Sequence, residues 1–425
     1  MSDSSIPFDK NKKSASMKPF FILWTGQSFS FLGSNIVQFA LVWYLTKTTG
    51  SATVLAIASI VGLLPQVLLG PLVGTLVDRW NRRMVMFVAD SVIALATIGL
   101  AILFGLDLIQ TWHIYTIMFI RALGEAFHWP AMIASTTLMV PKKHFTRIQG
   151  MNQALFGAIN IISPMLGALF MELLPMQGIL AIDVATALLA IIPLLFISIP
   201  QPLQSFDSTE GYGHNNKPSV FDDFKAGFKF LCGFPGLLIL ILNSTLGNFL
   251  LTPAAVMLPI LVKTHFAGGA AQLAWIETSL WVGMVSGGIL LSAWGGFKRQ
   301  INTIQLSAFL MGLSIIFLGC IPASGLWIAV ATVLFIGLAL TMYNASVQAI
   351  AQAVVVPQFQ GRVFSLMASL GRAASPLGLL MAGPISDSIG VQFLYIAGGS
   401  LTVSTAIALL LIPAVQNIEN KPRTC

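Results

Sequence analysis

Between Arg299 and Arg362 the chain runs for 62 residues without a single Asp, Glu, Lys or Arg. A soluble fold has no use for such a stretch, because a surface helix or strand needs a polar side to show to water. A bilayer core of roughly 30 Å is crossed by about 20 apolar residues in a helix. The 62 residues therefore hold two crossings, turning at "IPASG", Ile321 to Gly325. Equivalent uncharged runs separate Lys18 from Lys47 and Lys47 from Asp78. With 56% hydrophobic and only 9% charged residues over 425 positions, the pattern belongs to the whole chain. Barrel strands alternate apolar and polar over about ten residues, and these runs are longer and apolar on every face. The fold class is all-α integral membrane.

Twelve spans are expected, at 20–45, 52–77, 84–106, 112–139, 148–172, 178–199, 237–262, 271–294, 301–320, 326–351, 362–383 and 391–413. An even number places both termini on one side, and the basic residues say which. Eighteen Lys and Arg fall in the segments that are cytoplasmic with the N-terminus inside, against only Lys47 and Lys263 outside. The net charge of +7 is thus topology and needs no nucleic-acid partner. Around the spans the chain divides into a tail at 1–19, a first half at 20–199, a linker at 200–236, a second half at 237–413 and a tail at 414–425. Within the linker, "SVFDDFKAGFKFL" places Phe221, Phe224, Phe228 and Leu231 on one helical face, which suits an amphipathic surface helix or, alternatively, plain linker. Cys232, Cys320 and Cys425 suit neither a disulfide framework nor a metal site. The run from Phe20 to Leu45 is too long for a cleavable signal.

Charges inside a bilayer are costly and mark functional candidates. Apart from Glu172 at the very end of its span, four acids fall within spans: Asp90, Glu125, Asp183 and Glu277. Glu125 follows Arg121 by four residues, hence on the same helical face, where the guanidinium can hold the carboxylate ionised. Such a pair either trades its contact for a proton or is a permanent salt bridge. Asp183 is the next coupling candidate, and either acid can attract a cationic substrate. Asp90 is expected near the basic loop, paired with Arg79, Arg82 or Arg83. Glu277 reads as a residue in the outer part of its helix. Arg372, midway along helix 11, reads as a charge partner or gate, and His128 as a hydrogen-bonded structural residue.

Uncharged polar residues carry the substrate reading. Gln27, Ser34 and Gln38 share a face of helix 1, Asn243 and Asn248 lie on helix 7, and Asn344 and Gln348 form a stripe on helix 10. They suit a large, mostly apolar cavity for amphiphiles, or equally hydrogen bonds between helices.

The second half repeats the first at an offset of about 216 residues, setting "FIRALGEAFHWPA" from Phe119 against "FIGLALTMYNASV" from Phe335. Gly74, Leu76, Asp78, Arg79, Arg82 and Arg83 resemble the G-x-L-x-D-R-x-x-R-R loop between helices 2 and 3 of the major facilitator superfamily, and Arg121 resembles the arginine of its helix 4 motif. "AFHWPA", "AIDVATA" and "GRVFSLMASL" are similar to the drug–proton antiporter branch, which includes bacterial macrolide efflux proteins. Two departures stand out. Asn81 replaces the loop's usual Gly, a change both residues' tolerance of left-handed backbone allows. "SPMLGA", with Ser163, Pro164 and Gly167, replaces the exporters' G-P-x-x-G-G in helix 5.

The resemblance implies two pseudo-twofold-related six-helix bundles with a substrate site between them. It implies proton-driven efflux of amphiphilic, macrolide-like drugs by alternating access across a bacterial cytoplasmic membrane. No cofactor beyond the proton gradient is implied, and the partners are a small amphiphile, protons and lipid. A monomer is expected, with a separate ATPase partner left open. The loop from Gly74 to Arg83 is implied to latch the halves, Asp78 reaching across the pseudo-twofold; topology signals alone are the alternative reading. A siderophore or metabolite exporter, and then a lipid transporter, are the competing readings. An intramembrane enzyme is disfavoured, since H-E-x-x-H, G-x-G-D and the ATP-binding G-x-x-x-x-G-K-[ST] are all missing.

Overall fold

A computed structural model describes residues 17–199, 231 and 233–420, and every regular element among them is helical. Twelve long helices follow in chain order. The first half holds α1 (Lys18–Thr49), α2 (Ala52–Arg79), α3 (Arg82–Gly105), α4 (Thr111–Met139), α5 (Phe145–Leu173) and α6 (Met176–Phe196). The second holds α7 (Pro235–Val256), α8 (Ala270–Trp294), α9 (Gln300–Cys320), α10 (Leu326–Val354), α11 (Pro357–Ile389) and α12 (Val391–Leu411). Eleven spans are long and apolar enough to cross a membrane. The exception is α4, where His113, Arg121, Glu125 and His128 replace apolar residues.

Most helix ends fall within a few residues of the expected spans, and two spans differ more. The seventh span is not continuous: after Met257 it resumes as the short helix Leu258–Thr264, whose Pro259 has no N–H to continue the ladder. The eleventh reaches six residues past 383, because Pro384 is accommodated inside α11, as prolines in membrane helices commonly are. The linker region expected to hold an amphipathic helix lies almost wholly outside the described residues.

Within the first half, α1 packs on α6 and α3 on α4 and α6; within the second, α9 packs on α12 and α8 on α10. Between halves, α2 meets α11 and α5 meets α8. Large apolar side chains point away from these contacts, Phe196 at 82% and Leu411 at 78% exposure, as a lipid solvent requires. Lipid gives apolar helices no hydrophobic reason to associate, so association depends on close packing and small residues. Gly283 and Gly287 supply this on α8: a Cβ added at Gly283 would lie 2.0 Å from the Leu334 carbonyl oxygen of α10, and one at Gly287 2.5 Å from that of Leu338. At neighbouring Gly288 the nearest atom would be 3.9 Å away.

Gly283→Ala is therefore expected to destabilise the detergent-solubilised protein by about 1–3 kcal/mol through overpacking. Gly288→Ala should change stability by less than about 0.5 kcal/mol. Thermal unfolding of the two variants separates these outcomes.

Candidate functional site

Four helices converge on Asp183. Its Oδ2 accepts a hydrogen bond from Arg121 Nη1 of α4 at 2.5 Å and one from Thr97 of α3 at 3.1 Å, while Oδ1 accepts from Ser34 of α1 at 3.1 Å. Arg121 also donates to Thr97 Oγ1 at 2.5 Å. Asp183 is 1% exposed and Arg121 4%. The approach of α1 to α6 depends on Gly33, where a Cβ would sit 2.1 Å from Thr186 Oγ1. That closeness lets Ser34 reach the carboxylate.

The ion partner of Arg121 is thus Asp183, 62 residues away in sequence, and not Glu125 on its own helix. Asp183 is buried, with Arg121, Thr97 and Ser34 as its hydrogen-bond partners. Glu125 has no ion pair or hydrogen bond among the described residues. It is exposed to solvent although surrounded by protein, within electrostatic reach of Arg121, His128 and Asp183. Geometrically it is a free carboxylate in a wet, enclosed space beside a neutralised pair.

Asp90 also departs from expectation. Its Oδ2 accepts from Gln27 Nε2 at 2.9 Å, and His128 Nε2 lies 3.3 Å from Oδ1. At 5% exposure Asp90 is tied into the α1–α3–α4 packing, with Gln27 and His128 as its neighbours. Gln27, 7% exposed, belongs to that packing and not to an open cavity.

The loop motif is nearly all helix: α2 runs through Arg79 and α3 begins at Arg82. Asn81 is extended, with φ −67°, and its side chain accepts from the backbone N–H groups of Arg83 and Met84. It is there as an N-cap, so left-handed tolerance is not the reason for it. Arg82 Nη1 donates to Ala134 O, and Arg83 donates to Leu194 O and Leu195 O. All three carbonyls belong to the first half, so these arginines anchor their own half. Gly74 has nothing within 4 Å of an added Cβ; the side chains of Asp78 and Arg79, on which the latch expectation rests, lie outside the described set.

The second half contributes an uncharged polar wall. Asn248, Asn344, Gln348 and Gly371 line a cavity of about 260 Å³. Asn243, with Nδ2 donating to Tyr343 Oη at 2.9 Å, lines a smaller neighbour of about 60 Å³ together with Asn248 and Asn344. Arg372 follows Gly371 and is exposed, without a charge partner among the described residues. On α5, Ser163 donates to Ile159 O and Gly167 receives Phe39 of α1, where a Cβ would meet Cδ1 at 2.6 Å. Beside them Pro164 and Gln38 line another cavity. Aromatic rings link the halves: Trp129 lies 6.5 Å from Phe31, Phe31 stacks on Phe156 at 5.8 Å, and Phe156 meets Trp281 of α8 edge-on at 5.8 Å.

A contact the sequence did not single out closes the face away from Arg82 and Arg83. Asp387, near the end of α11, accepts from the N–H groups of Ala52 at 2.7 Å and Thr53 at 3.0 Å and from Ser51 Oγ at 2.8 Å. Lys263 donates to Thr46 O at 2.8 Å and Lys47 O at 3.1 Å. A second-half carboxylate thus caps the start of α2, and a second-half ammonium caps the end of α1. Both signs agree with the helix dipoles. Asp387 had no motif to mark it; the one hint is its position opposite the exposed helix start at Ser51.

Residues 23–379 match the family model described as Major Facilitator Superfamily. Macrolide efflux protein A of Streptococcus pyogenes is 34% identical, the match covering 95% of this chain and 98% of that protein. Multidrug efflux pump Tap of Mycobacterium bovis is 26% identical over 95% and 96%. Among solved structures, the D323A mutant of the nucleoside transporter NupG superposes with a TM-score of 0.68 at 16% identity, covering 93% of this chain and 99% of that one, a likeness of fold.

Removing the cap on α2 should loosen the closed face. Asp387→Ala forfeits an interaction worth about 0.5–2 kcal/mol, enough for a several-fold gain in the population open at that face. Spin labels at Thr48 and Ser388 should then show a longer distance component by pulsed electron resonance. An unchanged distribution contradicts the clamp.

Proposed function

The chain belongs to the major facilitator superfamily, and on that premise we propose that it exports amphiphilic drugs, macrolide-like antibiotics first, in exchange for protons. The drug class is supported by relatives whose names are those of macrolide and multidrug efflux proteins. It also suits the row of aromatic rings between the halves and the amide-lined cavity of the second half. The basic bias supports a reading in which the Arg82 and Arg83 face, and both termini, lie on the cytoplasmic side of a bacterial membrane. The face clamped by Asp387 and Lys263 is then the outer one, and the chain rests open to the inside.

One observation carries the coupling: Glu125 is an unpaired, water-reachable carboxylate next to the saturated Arg121–Asp183 pair. One guanidinium and two carboxylates sum to −1. A net charge enclosed away from water is costly, whereas a neutral set is far less so. The site therefore occludes when Glu125 is protonated and resists occlusion when it is not. In the outward state Glu125 takes a proton from outside. The neutral set allows the chain to close and reopen inward, where access to the cytoplasm lets the proton leave. Drug rides the opposite stroke. Arg121, held by Asp183 and Thr97, fixes the position of the charge that makes this exchange depend on protonation.

Efflux of a labelled macrolide from cells expressing the chain should collapse with a protonophore. Glu125→Gln, permanently neutral at that position, should lower protonophore-sensitive efflux at least ~10-fold, the scale of one pKa-sized electrostatic step, while leaving passive exchange. Normal gradient-driven efflux by this variant overturns Glu125 as the proton site.

A further inference from the structure

Like Glu125, Glu277 is a carboxylate inside a span that has no hydrogen bond or ion pair among the described residues. It projects from α8 into a cavity of about 130 Å³ lined by Asn35, Gln38, Asn160 and Trp281. The surrounding helices come from both halves, α1 and α5 facing α8. The next residue, Thr278, donates to Ile161 O of α5 at 3.0 Å, so the place of Glu277 is fixed by a hydrogen bond across the interface of the halves. Trp281, one helical turn on, is half-buried and ends the aromatic row running through Phe156 and Phe31 to Trp129.

We propose that this cavity binds the substituted ammonium group of the exported drug, with Glu277 as counter-ion and the Trp281 ring as a cation-binding face. The proposal rests on the export reading and names the part of the drug that the cavity takes. Size argues for a part and not the whole, since pockets enclosing an entire drug run to about 300–1,000 Å³. A tertiary ammonium with its methyl groups fits, and the apolar body extends along Phe156, Phe31 and Trp129. Chemistry argues for a cation: an isolated carboxylate inside a span is costly unless neutralised, and an ammonium over an indole gains further attraction. The amides of Asn35, Gln38 and Asn160 offer hydrogen-bond partners to a hydroxyl next to the amine. A basic residue does not compete, since no Lys or Arg lines the cavity.

The probes are a macrolide carrying a tertiary-amine sugar and the same macrolide with that nitrogen acylated and uncharged. Binding of each to the purified full chain in lipid nanodiscs is measured for wild type, Glu277→Gln, Glu277→Asp and Trp281→Ala, with thermal unfolding as a folding control. The proposal expects wild type to bind the amine at least ~10-fold more tightly than the neutral form, an electrostatic preference of about 1.4 kcal/mol. Glu277→Gln should erase that preference while holding affinity for the neutral form within about 2-fold, and Glu277→Asp should keep much of it. Trp281→Ala should weaken the cationic form more than the neutral one. Equal binding of both probes by wild type, a preference undiminished in Glu277→Gln, or equal loss of both probes in that variant overturns the ammonium site and leaves the export reading standing. Binding of neither probe by well-folded wild type overturns the export reading itself, and the site with it.

Discussion

The hydrogen-bonded ion pair between Arg121 and Asp183 constrains the rest of the first half. A buried charge pair is tolerated only when its geometry is good and its remaining hydrogen-bonding capacity is met. Here α1, α3, α4 and α6 each supply a member. Thr97 shows how tightly the set is specified: its oxygen accepts from Arg121, while its single proton is shared between Asp183 and the Ile93 carbonyl. Shifting α4 or α6 strands a charge in the low-dielectric interior, and shifting α1 or α3 costs the carboxylate a hydrogen bond. The pair thus fixes the bundle and leaves Glu125 as the charge free to change.

The halves divide the labour. At the offset of about 216 residues, Arg121 corresponds to Gly337, Glu125 to Thr341 and His128 to Asn344. Where the first half carries charge, the second carries a close helix contact and neutral polar groups, Gly337 lying against Leu280 O of α8. Mid-span ionisable groups are concentrated on one side of the interface and uncharged amides on the other. Glu277 and Arg372 are exceptions, and Glu277 stands where α8 meets α5. The clamp shows the same division, since second-half charges grip helix ends of the first half. Capping contacts of this kind break without leaving a buried charge, because both partners lie near water, and so they suit a face that must open.

The sequence made the helices legible because uncharged runs of membrane length leave few alternatives: the span expected at 326–351 is Leu326–Val354, and that at 112–139 is Thr111–Met139. It misled where local rules are overridden by context. Pro384 reads as a stop yet lies inside α11, which hid Asp387, and Pro259 breaks a span that hydropathy shows as continuous. The site was legible as a set of residues but not as a set of pairs. Arg121, Glu125, Asp183 and Asp90 stand out as charges in apolar runs. Spacing, however, favours the neighbour four residues away, and nothing local announces a partner on another helix. Asp90 with Gln27, and Arg82 with Ala134 O, are long-range contacts of the same kind.

The central claim is that drug movement and proton movement are two halves of one exchange, set by the carboxylates around Arg121. Its most direct test is proton flux into proteoliposomes holding the purified chain and a pH-sensitive dye, started by an imposed gradient of a macrolide and with no pH gradient present. The account predicts drug-driven proton movement opposite in direction to the drug, lost when Glu125 is replaced by Gln. Drug transport by the wild-type chain with no accompanying proton flux would contradict it.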